Sequence, residues 1–228
     1  MQGLDNIVAD GQAAVDHLKA LLAELKQSSH VDIDQHDRLE ALLRQLRNYL
    51  TAGYICHVSH HGSVIPTHCP QFMLSDPDEP QFHAMCAHEH DKGCEQCQNV
   101  DSLFSELRTV ISGAADAEQA QVWLKKLNTS ETKIVEWQSH LMRAKIQDLA
   151  KQDALDKLDS KTGLLLMDWA QKINPLEYRA PQRNYWAKRG MSLFGAVLYT
   201  RSAFGKVQKS SYHVFLDNCA QGGLATLS

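Results

Sequence analysis

The sequence predicts a mainly α-helical chain with a small β-meander after the helices. Three observations carry that reading. Leucine-rich stripes at helical spacing occupy the first 158 residues, cysteines and histidines crowd between two helical stretches, and three short strand-like runs begin at Gly163. The division that follows is a helical hairpin or coiled-coil region at 1–53, a Cys/His-rich zinc-binding segment at 54–98, a helical region at 99–160 and a strand region at 161–228. A chain of 228 residues can hold one core, or one and a half domains. Its 43% hydrophobic content argues against wholesale disorder. No apolar run approaches the roughly 18 residues that suggest a membrane span, so no membrane partner is expected.

The helices are justified by periodicity. Leu4, Ile7, Gly11, Ala14, Leu18, Leu21 and Leu25 recur at spacings of three and four, a narrow coiled-coil type of stripe that Gly11 weakens. Ser28 and Ser29 break it. A second helix is expected from Asp34, with Leu39, Leu42, Leu43, Leu46, Tyr49 and Leu50 on one face. Short links favour antiparallel packing within one chain, and self-association through these helices is the alternative. Val100, Leu103, Phe104, Leu107, Val110 and Ile111 mark a third helix. The stretch 116–158 reads as long and mostly helical, with Leu124, Leu127, Ile134, Leu141 and Leu149 among its buried positions.

The middle of the chain predicts metal. Five of the six cysteines and seven of the twelve histidines fall within residues 56–97. Cys94 and Cys97 have the spacing of a zinc knuckle, two thiolates reaching one ion from a tight turn. Cys86, His88 and His90 stand just upstream, and Cys69 can complete a site if the 66–70 loop folds back. One Zn2+ is expected, held by Cys86, Cys94, Cys97 and either His90 or His88, which share a side two residues apart in an extended segment. The N-terminus runs straight into an amphipathic helix with no leader pattern, so a disulfide framework is the lesser reading. His57, His60, His61 and His83 read as solvated loop residues, and a second site from Cys56, His57, His61 and His68 is the weaker alternative.

The strands follow. Leu164 to Met167, between Gly163 and Asp168, read as a strand buried on both faces. A carboxylate there is costly to desolvate unless paired or bound to a cation, so Asp168 is either a metal ligand or a strand-ending cap. Residues 190–201 and 210–216 form two further strand candidates, with a turn at Gly205 between them and Asp217 at the end. Short polar links predict an antiparallel meander with the acid on its first strand.

The wording of these segments resembles transposon-derived proteins of animal genomes. Met167-Asp-Trp-Ala170, Leu176-Glu-Tyr-Arg179, Asn184-Tyr-Trp-Ala-Lys-Arg-Gly-Met-Ser192 and His213-Val-Phe-Leu-Asp-Asn-Cys-Ala-Gln221 look like the opening of that family's RNase-H-like (DDE-type) transposase domain. Pro66-Thr-His-Cys69, Leu74-Ser-Asp-Pro77 and the 86–97 run resemble its upstream Cys/His zinc region, so the likeness covers roughly residues 54–221. The resemblance implies that Asp168 is a first catalytic acid, that 161–228 holds the first three strands of an incomplete RNase-H-like domain, and that the protein works in the nucleus. The chain departs from the pattern by stopping at Ser228, before a second and a third acid. Two-metal phosphoryl transfer needs several carboxylates, so Asp168 is expected to be vestigial, with Mg2+ relevant only to a complete catalytic domain.

Charge adds a partner. The net charge of −4 argues against a uniformly DNA-coating protein. Between Lys161 and Lys209, however, nine basic residues stand against two acids. Arg179, Arg183, Lys188 and Arg189, among Tyr178, Tyr185 and Trp186, are the candidate DNA contacts. The competing reading is that these charges solvate strand edges. Three functions therefore compete: a truncated or domesticated transposase-like protein that binds zinc and DNA without catalysis, a zinc-stabilised helical protein-interaction module, and a hydrolase using His88, His90 and Asp168 on one ion.

Overall fold

The computed structural model describes residues 6–58, 63–75, 86–169 and 191–216. The chain divides into two compact units, Met1–Leu149 and Ala150–Ser228. The described residues are mainly helical with a small three-stranded antiparallel sheet, as the sequence predicts.

The first unit is built on α1 (Asn6–Gln27), α2 (Ile33–Asn48), α5 (Glu95–Ser112) and α6 (Ala117–Asp156). A π-helical turn, Tyr49–Gly53, continues α2 into the one-turn α3 (Tyr54–His57), and a 3-10 turn, Pro66–His68, leads into the one-turn α4 (Pro70–Met73). Leu18, Leu22 and Leu25 of α1, Leu39 and Leu43 of α2, Leu103, Leu107 and Ile111 of α5 and Leu127 of α6 share one buried core. The N-terminal stripe is thus covered by other helices of its own chain, because each amphipathic helix hides its apolar face against the next.

Two details depart from the sequence reading. The second helix starts at Ile33, because Asp32 is its cap: the side chain accepts from the Gln35 backbone N–H at 2.8 Å. Asp32→Ala is expected to cost about 1 kcal/mol, seen as a lower urea midpoint at unchanged slope. In α6 the deepest positions are Trp123, Leu127, Ser130, Ile134, Trp137 and Met142, whereas Leu124 and Leu141 are only partly buried. The two tryptophans shift the buried face to their side. Trp137 lies against Gly11, where a Cβ would come within 2.7 Å of the ring. The residue that weakens the α1 stripe by propensity is the one that lets α6 approach. At the other end, Glu24 accepts from Trp123 Nε1 at 3.0 Å and from Lys126 Nζ at 2.7 Å. The Lys126 bond holds its carboxyl below the usual range against a smaller opposing effect of burial.

The second unit contains β1 (Gly163–Trp169), β2 (Ser192–Arg201) and β3 (Val207–Leu216), in the order β1-β2-β3. Gly205, at φ 78°, makes the turn between β2 and β3, and Arg201 Nη1 donates to its carbonyl at 2.9 Å. Arg201 also donates to the Leu155 carbonyl at 3.0 Å. The expectation that β1 is buried on both faces is overturned. Leu165 is 48% exposed and Met167 55%, and among the described residues β1 pairs with β2 alone. Asp168 is exposed too, so it needs no compensating partner for desolvation. It pairs in register with Gly195, and Gly195 with His213, which puts the three on one face. Trp169 takes the other face against Phe194, ring centroids 5.0 Å apart.

Candidate metal centre

Local structure carries the cysteines and histidines into place. Cys94 is the N-cap of α5 and Cys97 lies in its first turn. The CxxC pair therefore sits at a helix start, not in the free tight turn expected, and one helical turn brings both sulfurs to one end of the helix. His68 closes the 3-10 turn and Cys69 caps α4, so neighbouring residues point into different surroundings. The Tyr54 hydroxyl donates to the Thr67 carbonyl at 2.6 Å and pins that turn to α3. His57 is the last residue of α3.

Two Cys/His groups result. In the first, Cys69, Cys86, His88 and His90 offer ligand atoms all within 4.8 Å of one another. Cys69 Sγ is 3.7 Å from Cys86 Sγ and 3.6 Å from His88 Nε2. In the second, His57, His68 and Cys94 lie within the same limit, with Cys94 Sγ 3.9 Å from His57 Nδ1. Cys97 lies beside this group of three, its Sγ 3.4 Å from His68 Nε2. The single set expected from the sequence is thus divided: Cys86, His88 and His90 meet Cys69, while Cys94 and Cys97 stand with His57 and His68. His57, read from the sequence as a solvated loop residue, belongs to the second group. Cys56 is exposed with its thiol on the Ala52 carbonyl and joins neither group. His60, His61 and His83 lie outside the described residues.

Four of the separations have the size of tetrahedral edges. Zn–S distances of about 2.3 Å and Zn–N distances of about 2.0–2.1 Å imply ligand-to-ligand edges near 3.8 Å for two sulfurs and about 3.6 Å for sulfur and nitrogen. The observed 3.4–3.9 Å separations are of that size. They are far beyond the ~2.05 Å of a disulfide, and all five described cysteines are free. His90 Nε2 is buried without a hydrogen-bond partner, which a ligating role would relieve.

Electrostatics favour thiolates at two positions. Burial works against the Cys69 thiolate, but the His90 imidazole, the Phe72 and Ser63 backbone and the Cys86 thiol outweigh it, bringing the pKa down to about 6. Burial also opposes the Cys94 thiolate. The Cys97 N–H, the Tyr49 hydroxyl and the Gln96 N–H at the start of α5 overcome it and hold that thiol below its ordinary value.

Asp168 lies in the second unit and belongs to no group of three or more ligating side chains among the described residues. Arg179, Arg183, Lys188 and Arg189 lie outside the described residues, as do Glu177 and Asp217. No helix of the described residues is long and apolar enough to cross a membrane. No family model, curated protein or solved structure matches the chain.

Proposed function

We propose that the chain is a zinc-stabilised helical binding module. One observation carries this reading: Cys69, Cys86, His88 and His90 supply four protein ligands within 4.8 Å of one another. A site with four side-chain ligands keeps no position for water or substrate, so its ion is structural. Two thiolates with two imidazoles in tetrahedral array select zinc over oxygen-loving cations. The ion would fasten the 63–90 segment onto a helical core. Metal analysis of the purified chain is expected to find zinc, and a chain purified without chelators that carries none would overturn the proposal.

A second reading, descent from RNase-H-like transposases with some DNA affinity kept, is favoured by the antiparallel meander with Asp168 on its first strand. On that reading binding weakens steeply with salt and falls on changing Arg183, Lys188 and Arg189 to Ala. Asp168 is the one carboxylate on the three described strands. We expect no DNA cleavage with Mg2+ or Mn2+ in a nicking assay. Cleavage that vanishes on Asp168→Ala would contradict that expectation.

A further inference from the structure

The second Cys/His group has a feature the first lacks. The Tyr49 hydroxyl, on the π-helical turn after α2, touches all four of its ligand atoms. It is 3.1 Å from His57 Nδ1 and from His68 Nε2, 3.4 Å from Cys97 Sγ and 3.7 Å from Cys94 Sγ. Four metal-ligating side chains converge from α3, the 3-10 turn and the start of α5 onto one hydroxyl. Two of them are largely buried, His68 at 3% exposure and Cys97 at 6%. A buried cysteine, a buried histidine and a phenol brought together need a reason, since none of them contributes more by packing here than an apolar side chain would.

We infer that His57, His68, Cys94 and Cys97 bind a second zinc ion, with the Tyr49 hydroxyl as a hydrogen-bond donor to one of its thiolates. The inference extends the proposed zinc module and has its own ligands. A phenol that donates to a metal-bound sulfur orients the ligand and moderates its charge, a contribution of the surrounding shell that commonly amounts to 10–100-fold in metal affinity, in round figures.

The order of ligands along the chain gives the second ion a structural consequence. His57 and His68 precede Cys69, Cys86, His88 and His90, and Cys94 and Cys97 follow them. The first site is therefore nested inside the second. The outer ion clips both ends of the segment to the helical core, to which Tyr49, Tyr54 and Cys97 belong, while the inner ion gathers the loop between them. His68 and Cys69, adjacent in sequence, serve different ions. Ligands mounted on an existing core lose less freedom on binding than ligands in a loop, so the outer ion is the tighter one.

Native mass spectrometry of the full chain, with a competing chelator at fixed concentration, tests this. The unmodified chain is expected to carry two zinc ions. Cys69→Ser with Cys86→Ser should retain one, and so should His57→Ala, whose exposed position spares the core. Tyr49→Phe should load two ions and release one of them about 10–100-fold more readily to the chelator. One ion in the unmodified chain, lost with Cys69→Ser and Cys86→Ser and kept in His57→Ala, would overturn the second site and leave the zinc module standing. No ion in any form would overturn both. Two tightly held ions in His57→Ala, or unchanged release from Tyr49→Phe, would refute the ligand set or the role of the phenol respectively.

Discussion

Replacing Cys69 and Cys86 with serine is expected to open residues 63–93 to protease while the helical core stays folded. The described hydrogen bonds of the segment include those of its single-turn helices and that from Lys92 N–H to the Val64 carbonyl at 3.3 Å. Structural zinc contributes on the order of 10 kcal/mol to folding in small zinc modules, far more than such bonds supply. Without the inner ion the loop should therefore cleave at rates close to those of an unfolded peptide. The core should lose only a few °C in Tm, because Leu18, Leu39, Leu103 and Leu107 are buried against one another independently of the metal. Limited proteolysis with mass mapping reads both effects. Unchanged resistance between 63 and 93 would show that the ion does not order the segment.

Trp137→Ala is expected to be the most damaging single change in the core, costing about 3–5 kcal/mol. The indole is 1% exposed and lies against Gly11 of α1, which offers no side chain to fill the space left behind. Its Nε1 makes no hydrogen bond, so the whole loss is apolar contact. Gly11→Ala works against the same contact from the other side. It gains about 1 kcal/mol of helix propensity but forces a Cβ to within 2.7 Å of the ring, and overpacking of that kind costs about 1–3 kcal/mol. The net effect should be destabilising in the native background and stabilising once Trp137 is Ala. A double-mutant cycle by urea denaturation measures that change of sign, and additive effects would refute the contact.

What the sequence made legible was local. Helical stripes reveal α1, α2 and α5 because an amphipathic helix writes its buried face at fixed spacing, and alternating strands with Gly205 reveal the meander. Burial of β1 was misjudged because four apolar residues in a row look the same in a covered strand and in an exposed one; only what packs over the faces of the sheet distinguishes them. The metal residues were recognisable as a crowd, but not their pairing. Cys94 meets His57 across 37 positions and Cys97 meets His68 across 29, and distances of that kind are set by how α2 and α5 pack. Tyr49 counted as one more apolar position of α2, since nothing in the spacing shows where its hydroxyl ends.

X-ray absorption at the zinc K-edge of the purified full chain tests the central claim most directly. The account predicts an average first shell of two sulfurs and two nitrogens per ion, at about 2.3 Å and about 2.0–2.1 Å, because each site takes two cysteines and two histidines. A shell of three sulfurs and one nitrogen, the signature of Cys86, Cys94 and Cys97 on one ion with one histidine, would contradict it, as would a shell of oxygen alone.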